Sequence, residues 1–230
     1  YYRMHTREME SYYKVNIVFT LSNDDILEEE TALEEWLLEG TVLHRHDQLP
    51  AIVVRSRLSG EILEKHWYSW GERHQNDGPA IIRWSKDGNY KTEIWYTRDV
   101  ATRDDGPNEI TTHLPSGIVC SETWRKDDKI HREDGPAIVK RSLETGRVYE
   151  EQWFTNNMIH NDDAPAYIER DPNTGKVVKE EWRHYGDLHR LNGFPAVTVY
   201  DPEDGSVVTE RFFRNDREHS RPTGNITPSP

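Results

Sequence analysis

The segment KIHREDGPAIVK, residues 129–140, places a histidine, an arginine and two acids directly before a Gly-Pro turn. Brought together, these residue types could act as a general base or hold a metal ion. A catalytic pair is needed once per site, whereas a structural turn is needed in every unit of a repeat. The number of times that the segment occurs therefore decides between chemistry and architecture.

The segment recurs along the sequence with small changes. The recurrent segments, here called the corners, are HRHDQLPA from His44, HQNDGPA from His74, TRDDGPN from Thr102, HREDGPA from His131, HNDDAPA from His160 and HRLNGFPA from His189. A second set, here called the repeat aromatics, keeps the same spacing and comprises Trp36, Trp67, Trp95, Trp124, Trp153, Trp182 and Phe212. The protein is therefore predicted to be an array of about six units of about 29 residues.

Each unit is predicted to contain two β-strands joined by a turn. An apolar run such as PAIVK or PAVTVY follows the corner. A turn with glycine comes next, as in KDGN (86–89) or LETG (143–146), because glycine supplies the positive φ that hairpin turns require. The second strand then ends on the repeat aromatic. A short turn with Gly or Asn four residues later (Gly40, Gly71, Asn157 and Gly186) leads to the next corner. Since an isolated hairpin is marginally stable in water, the units are expected to stack on one another.

The recurrence favours a structural role for the corners. Aspartate before Gly-Pro can accept a hydrogen bond from backbone two residues on, and proline presets the next φ. The histidines and arginines are expected to bond across to the next unit. The residues assigned to the structural corner are His44, Asp47, Pro50, His74, Asp77, Pro79, Arg103, Asp105, Pro107, His131, Arg132, Asp134, Pro136, His160, Asp163, Pro165, His189, Arg190 and Pro195. The repeat aromatics are assigned to the core, each beside the small alanine of a neighbouring strand.

Metal binding and catalysis are the alternative interpretations of the corners. Regularly spaced His and Asp could bind metal ions, but each loop offers few oxygen ligands for calcium, and zinc needs three or four converging ligands. The changes to Thr102, Ala164 and Asn192 also break the set. No nucleophile recurs beside the histidine, and no phosphate-binding glycine loop is present. The sequence thus predicts no catalytic residue, no metal ion and no cofactor, and the protein is not expected to be an enzyme.

Composition and charge narrow the class of partner. The sequence of 230 residues has a formal net charge of −13, which disfavours binding to nucleic-acid phosphates or to an anionic membrane. One cysteine, Cys120, excludes an intrachain disulfide and fits a reducing compartment such as the cytoplasm. The low hydrophobic content, with 8 Trp and 11 Tyr, suits a thin array rich in sheet. The expected partner is another protein, or copies of the same protein.

The two ends differ from the array. Residues 1–33 are predicted to be an N-terminal cap, in which YYKVNIVFTL has strand character and SNDDILEEETALEEW (22–36) has the start and composition of a short helix. Residues 34–219 form the predicted array of six units. Residues 220–230, SRPTGNITPSP, are expected to be a tail or a linker.

The pattern W-x3-G-x2-H-R-x-D-G-P-A over residues 34–219 resembles repeats of uncharacterised proteins from large viruses, phages and protists. It is more distantly similar to MORN repeats, which form one β-hairpin per unit in an elongated sheet. The period here is longer than that of MORN repeats, and the HR-x-DGPA corner has no counterpart in them. The resemblance implies an all-β, elongated array of antiparallel hairpins and a scaffold role.

The expected function is a non-enzymatic protein-binding or structural scaffold module, located in the cytoplasm or assembled into a larger particle. As an alternative, this acidic protein could be a virus- or phage-encoded inhibitor that binds a host nucleic-acid enzyme by charge mimicry. Mimicry predicts acids clustered on one face and binding that salt abolishes. A scaffold predicts contact through exposed aromatic rings that tolerates salt.

Overall fold

A computed structural model describes residues 13–19, 31–46 and 48–221 of the protein. Within these ranges every regular element is a β-strand, and no helix is present. The predicted all-β class and the array of hairpins are therefore confirmed. The described residues also contain no helix that is long and apolar enough to cross a membrane.

The described residues form 24 strands, numbered in sequence order. The long strands are β1 (Tyr13–Phe19), β2 (Thr31–Leu38), β4 (Ile52–Ser56), β5 (Ile62–His66), β8 (Ile81–Trp84), β9 (Tyr90–Ile94), β10 (Glu109–His113), β11 (Ile118–Thr123), β14 (Ile138–Arg141), β15 (Val148–Gln152), β18 (Tyr167–Arg170), β19 (Val177–Glu181), β22 (Val197–Tyr200) and β23 (Val207–Arg214). The short strands are β3 (Val42–Leu43), β6 (Tyr68–Ser69), β7 (Glu72–Arg73), β12 (Arg125–Lys126), β13 (Lys129–Ile130), β16 (Phe154–Thr155), β17 (Met158–Ile159), β20 (Arg183–His184), β21 (Asp187–Leu188) and β24 (Arg217–His219). The long strands lie side by side in sequence order in one antiparallel sheet.

The six long hairpins from β4–β5 to β22–β23 each turn on a glycine. Between β14 and β15, Gly146 has a φ of 69°, and its N–H donates to the Ser142 carbonyl at 2.9 Å. A β-bulge between Lys140 and Arg141 shifts the register beside this turn. Gly60, Gly88, Gly117, Gly175 and Gly205 also have positive φ. The predicted glycine turns at 86–89 and 143–146 are therefore confirmed.

A second, short hairpin follows the repeat aromatic, so the prediction of two strands per unit is wrong. In the fourth unit, β12 and β13 pair around Asp127 (φ 51°) and Asp128 (φ 63°). Positive φ at both central residues defines a type I′ turn, whose twist matches that of the paired strands. The turns of this kind, here called the hairpin tips, are Glu39–Gly40, Trp70–Gly71, Arg98–Asp99, Asp127–Asp128, Asn156–Asn157, Tyr185–Gly186 and Asn215–Asp216.

The predicted short helix over residues 22–36 is wrong in its described part. Thr31–Leu38 is strand β2, which pairs with β1 on one side and with β4 on the other. Helix propensity is a weak preference, and two ladders of backbone hydrogen bonds outweigh it here. Residues 22–30 lie outside the described residues, as do residues 222–230 of the tail. The strand predicted in YYKVNIVFTL is confirmed for Tyr13–Phe19.

The core is a thin strip of buried side chains that includes a small residue after most corner prolines. The alanines that follow the corner prolines are fully buried, and they are Ala51, Ala80, Ala137, Ala166 and Ala196. In the sixth unit Val197 and Phe213 join Ala196, and the half-buried ring of Trp182 packs against this cluster. Phe212, the last repeat aromatic, is only 6% exposed. Because this core is thin, contacts between successive units carry much of the order of the array.

Candidate functional site

The corner arginine closes its own unit onto the repeat aromatic. The guanidinium carbon of Arg132 lies 4.2 Å from the centre of the Trp124 ring, an arrangement that the ring quadrupole favours. Its Nη1 donates to the Pro136 carbonyl at 3.3 Å, and its Nε donates to Asp134 at 2.8 Å. The bond from Arg132 keeps the pKa of the Asp134 carboxyl below its usual range.

Three other corners repeat this stacking. The pairs are Arg45 on Trp36 at 3.8 Å, Arg103 on Trp95 at 4.1 Å, and Arg190 on Trp182 at 3.8 Å. The carbonyls of Pro50, Pro107 and Pro195 accept hydrogen bonds from these arginines. The sequence predicts that the arginines bond across to the next unit, but the Arg103 and Arg132 side chains bond within their own corners. Because the arginine and the aspartate are only two residues apart in the sequence, their hydrogen bond stays within one corner.

Four of the five corner histidines bond across units, as the sequence predicts. Nδ1 of His131 accepts the N–H of Asn156, at the next hairpin tip, at 3.4 Å. The equivalent bonds join His44 to Trp70, His160 to Tyr185 and His189 to Asn215, at 3.3, 3.4 and 3.2 Å. A nitrogen that accepts a hydrogen bond presents its lone pair, so this assignment places the proton of the neutral ring on Nε2. These histidines connect units, and the lone pair of Nδ1 is engaged in that contact.

From the second tip onward, the second residue of each tip also ties two units together. The N–H of Asn157 donates to the Ile130 carbonyl at 2.9 Å, and its side-chain oxygen accepts the Ile130 N–H at 2.7 Å. The same reciprocal pair joins Asp128 to Ala101, where the side-chain oxygen accepts at 2.7 Å. The sequence predicts a short turn at Asn157, and the Asn156–Asn157 pair is typical of a type I′ turn, but it does not predict the contacts of this residue with the preceding unit.

Two hairpin tips place an aromatic ring on a corner histidine. The Trp70 ring stacks on His44 with centres 5.1 Å apart, and the Tyr185 ring stacks on His160 at 4.0 Å. Both aromatic residues have positive φ, 52° for Trp70 and 47° for Tyr185. For bulky residues this conformation costs on the order of 1–3 kcal/mol, which the stacking partly offsets. Burial lowers the pKa of His44, and the nearby His46 lowers it further.

The other predicted corner residues have fewer contacts. Asp77 accepts a hydrogen bond from Gln48 of the preceding corner at 3.2 Å. His74 faces Asn76 of its own corner at 2.8 Å. Asp163 is exposed, and Asp47 lies outside the described residues. Pro79 and Pro165 stand in corners where the arginine is replaced, by Gln75 and Asn161.

One group of side chains has the composition of a metal site. His160, Asp162 and His184 place their ligand atoms within 4.8 Å of one another. Nε2 of His160 lies 3.5 Å from the Asp162 carboxylate, and Nε2 of His184 lies 3.8 Å from it. Because Nδ1 of His160 accepts the Tyr185 N–H, its Nε2 carries the ring proton and offers no lone pair to a metal ion. The group is therefore a contact between imidazoles and a carboxylate.

The sequence matches no protein-family model, and comparison with curated proteins finds no match.

Proposed function

We propose that the protein is a non-enzymatic protein-binding or scaffold module that contacts its partner through the row of hairpin tips. The observation that carries this proposal is that the first tip position is fixed by the fold while its residue varies. These first residues are Glu39, Trp70, Arg98, Asp127, Asn156, Tyr185 and Asn215. A fixed frame with variable projecting side chains is the arrangement by which stacked repeats build extended binding surfaces.

The exposed aromatic tips supply the binding chemistry. Trp70 is 69% exposed and Tyr185 is 49% exposed. Tryptophan and tyrosine are enriched among the residues that dominate binding energy at protein interfaces. Either position would be less strained with glycine or asparagine, since positive φ disfavours bulky side chains. We infer that the rings are kept in this conformation for contact with a partner.

Charge mimicry is the weaker candidate. It needs unpaired carboxylates on one face, whereas carboxylates of the main sheet form ion pairs between neighbouring strands. Arg170 donates to Glu151 at 2.9 Å, and Arg141 donates to Glu122. These ion pairs neutralise part of the negative charge on the sheet. The partner that we propose is another protein, or copies of this protein, in the cytoplasm or in a larger particle.

Site-specific crosslinking tests the proposal. Benzoylphenylalanine in place of Trp70 or Tyr185 should crosslink the partner, which can then be identified and purified. The same photoreactive residue in place of Leu58, which is 86% exposed in a long-hairpin turn, serves as a control and should crosslink it little. Equal crosslinking from Leu58 would contradict a role for the tips.

Affinity measurements with the purified partner give the prediction a magnitude. Trp70→Gly should weaken binding about tenfold or more, because loss of a dominant interface ring costs at least about 1.4 kcal/mol. Because glycine adopts the positive φ of this turn without strain, the backbone of the turn should be kept. The thermal unfolding midpoint should then fall only by the amount that the lost stacking on His44 contributes. Leu58→Gly is the matched control. Unchanged affinity in both Trp70→Gly and Tyr185→Gly would contradict the proposal, and loss of wild-type binding in about 0.5 M salt would favour charge mimicry.

A further inference from the structure

The sixth corner lacks the carboxylate that closes the third and fourth corners. In those corners the arginine Nε donates to an aspartate two residues on, from Arg103 to Asp105 at 2.7 Å and from Arg132 to Asp134 at 2.8 Å. In the sixth corner Asn192 stands at that place in the sequence, and its φ is 61°. The internal repeat thus shows which partner this arginine position takes, and the sixth corner does not supply it.

Arg190 keeps the remaining contacts of a corner arginine. Its guanidinium carbon lies 3.8 Å from the centre of the Trp182 ring, and its Nη1 donates to the Pro195 carbonyl at 3.2 Å. Phe194, an insertion relative to the fourth corner, adds a second ring 5.0 Å from the guanidinium carbon. Across residues 13–19, 31–46 and 48–221, no carboxylate accepts a hydrogen bond from Arg190. The charge is therefore held between rings without a paired acid.

The surroundings of Arg190 offset only part of the cost of burying its charge. Burial lowers the pKa of the Arg190 guanidinium, while the charge of Glu180 acts in the opposite direction. The Glu180 carboxylate already accepts the Tyr200 hydroxyl at 2.9 Å. A partly desolvated guanidinium gains most from a carboxylate that binds it directly, because such charge-assisted bonds are the stronger ones.

A surface cleft of about 520 Å³ opens beside this arginine. Trp182, Leu191 and Phe194 form its apolar lining, and Leu191 is 54% exposed. His184 and Asp162 lie at the cleft as well, with the acid facing imidazoles rather than Arg190 in the contacts that the structure gives. Arg183 also lines the cleft, but its guanidinium is paired with Glu181 at 2.8 Å. The cleft therefore combines an apolar surface with one cation, Arg190, that has no bonded carboxylate.

We propose that this cleft binds a carboxylate carried next to an apolar side chain in a partner protein. Arg190 donates to that carboxylate as Arg132 donates to Asp134, and the adjacent apolar side chain packs on Leu191 and Phe194. The inference rests on the proposed protein-binding function and names the chemistry of one contact. The carboxylate is an acidic side chain of the partner, as Asp134 is for Arg132 within this protein.

Titrations with short peptides, followed by NMR, test the proposal. The probes are acetyl-Leu-Asp-Phe-amide, its Asn analogue, and acetyl-Leu-Phe with a free C-terminal carboxylate. The Arg190 Nε–H and the Leu191 backbone amide should shift and saturate with a carboxylate probe at up to about 10 mM, the range of a weak single contact. The Asn analogue should give no such shift. The Asp probe should bind more tightly than the free C-terminal carboxylate, and the reverse order would overturn the assignment to an acidic side chain.

Two matched variants separate binding from stability. Arg190→Met keeps an apolar side chain against Trp182, and it should abolish the shift of the Leu191 amide. Arg132→Met removes the equivalent arginine of the fourth corner, so it should lose similar stability and bind the probe as the wild type does. Equal shifts with the Asn analogue, binding retained by Arg190→Met, or no shift in the wild type would each overturn the proposal. Trp70→Gly should bind the probe normally, so failure at the cleft and failure of the hairpin tips are distinguishable.

Discussion

Asn108 breaks the rule that an alanine follows the corner proline. Its side chain is 1% exposed, and neither polar atom of its amide finds a hydrogen-bond partner among the described residues. Its backbone carbonyl still accepts the Trp95 N–H at 2.8 Å, as Ala137 does for Trp124. The backbone of Asn108 thus makes the same hydrogen bond as alanine does in the other corners, while its polar side chain is buried without a partner. A buried polar group without a partner costs about 1–3 kcal/mol.

Asn108→Ala should therefore raise the free energy of unfolding by about 1–3 kcal/mol. Urea unfolding followed by tryptophan fluorescence measures this change. The reverse substitution in an intact corner, Ala137→Asn, should lower the free energy of unfolding. A variant Asn108→Ala that is less stable than the wild type would contradict the view that this amide is buried at a cost.

At the scale of residues, the sequence reveals which side chains recur but not what they contact. Arg132 and Trp124 are separated in the sequence by the short hairpin of β12 and β13, and their stacking depends on that hairpin. The sequence shows Arg and Asp two residues apart in the third and fourth corners, but it does not show that their side chains form a hydrogen bond. The opening in the sixth corner follows from the replacement of Asp by Asn192, which the sequence shows as a break in the repeat without showing the cleft.

At the scale of elements, the long hairpins were predictable, whereas the short hairpins were predicted only as turns with Gly or Asn four residues after the repeat aromatic. The long turns contain glycine at the position with positive φ, which is a strong sequence signal. The first tip positions hold residues such as Trp70, Arg98 and Tyr185, which type I′ turns rarely accept. Contacts with the preceding unit, including the bonds to His44 and His160, stabilise these turns against their local preference.

Acid should weaken the junction between the first corner and the hairpin tip at Trp70. Burial and the nearby His46 lower the pKa of His44 below its ordinary value, while a bond to the Tyr68 backbone acts the other way. The unfolded protein then takes up this proton first, so the stability is present above about pH 6.5 and is lost as the pH falls through the lowered pKa. Carboxyls with lowered pKa, such as that of Asp99, lose their stabilisation only below about pH 4.

Urea unfolding of the wild type and of His44→Gln across pH 5 to 8 measures this effect. The free energy of unfolding should fall more steeply with acid in the wild type than in the variant, because glutamine does not titrate. Parallel profiles would mean that protonation of His44 does not weaken the junction. The same pH series on His131→Gln, which changes a corner histidine of another unit, shows whether the effect is specific to His44.

At the scale of the whole molecule, the period of about 29 residues predicts the array because the corners and the repeat aromatics keep one phase. What the array presents could not be predicted, since the first residue of each hairpin tip is defined by its backbone φ and does not repeat in type. The fourteen long strands, each about 4.8 Å from the next, give the sheet a width of roughly 60 Å. The strands themselves are short, so the sheet is much wider across its strands than along them.

Small-angle X-ray scattering on the purified protein, coupled to size exclusion, tests most directly the claim that the corners serve a stacked array. A stacked array predicts an asymmetric pair-distance distribution and a radius of gyration of about 20 Å or more for the monomer, given a sheet of roughly 60 Å. A symmetric distribution with a radius of gyration near the ~17 Å of a compact domain of this length would contradict it.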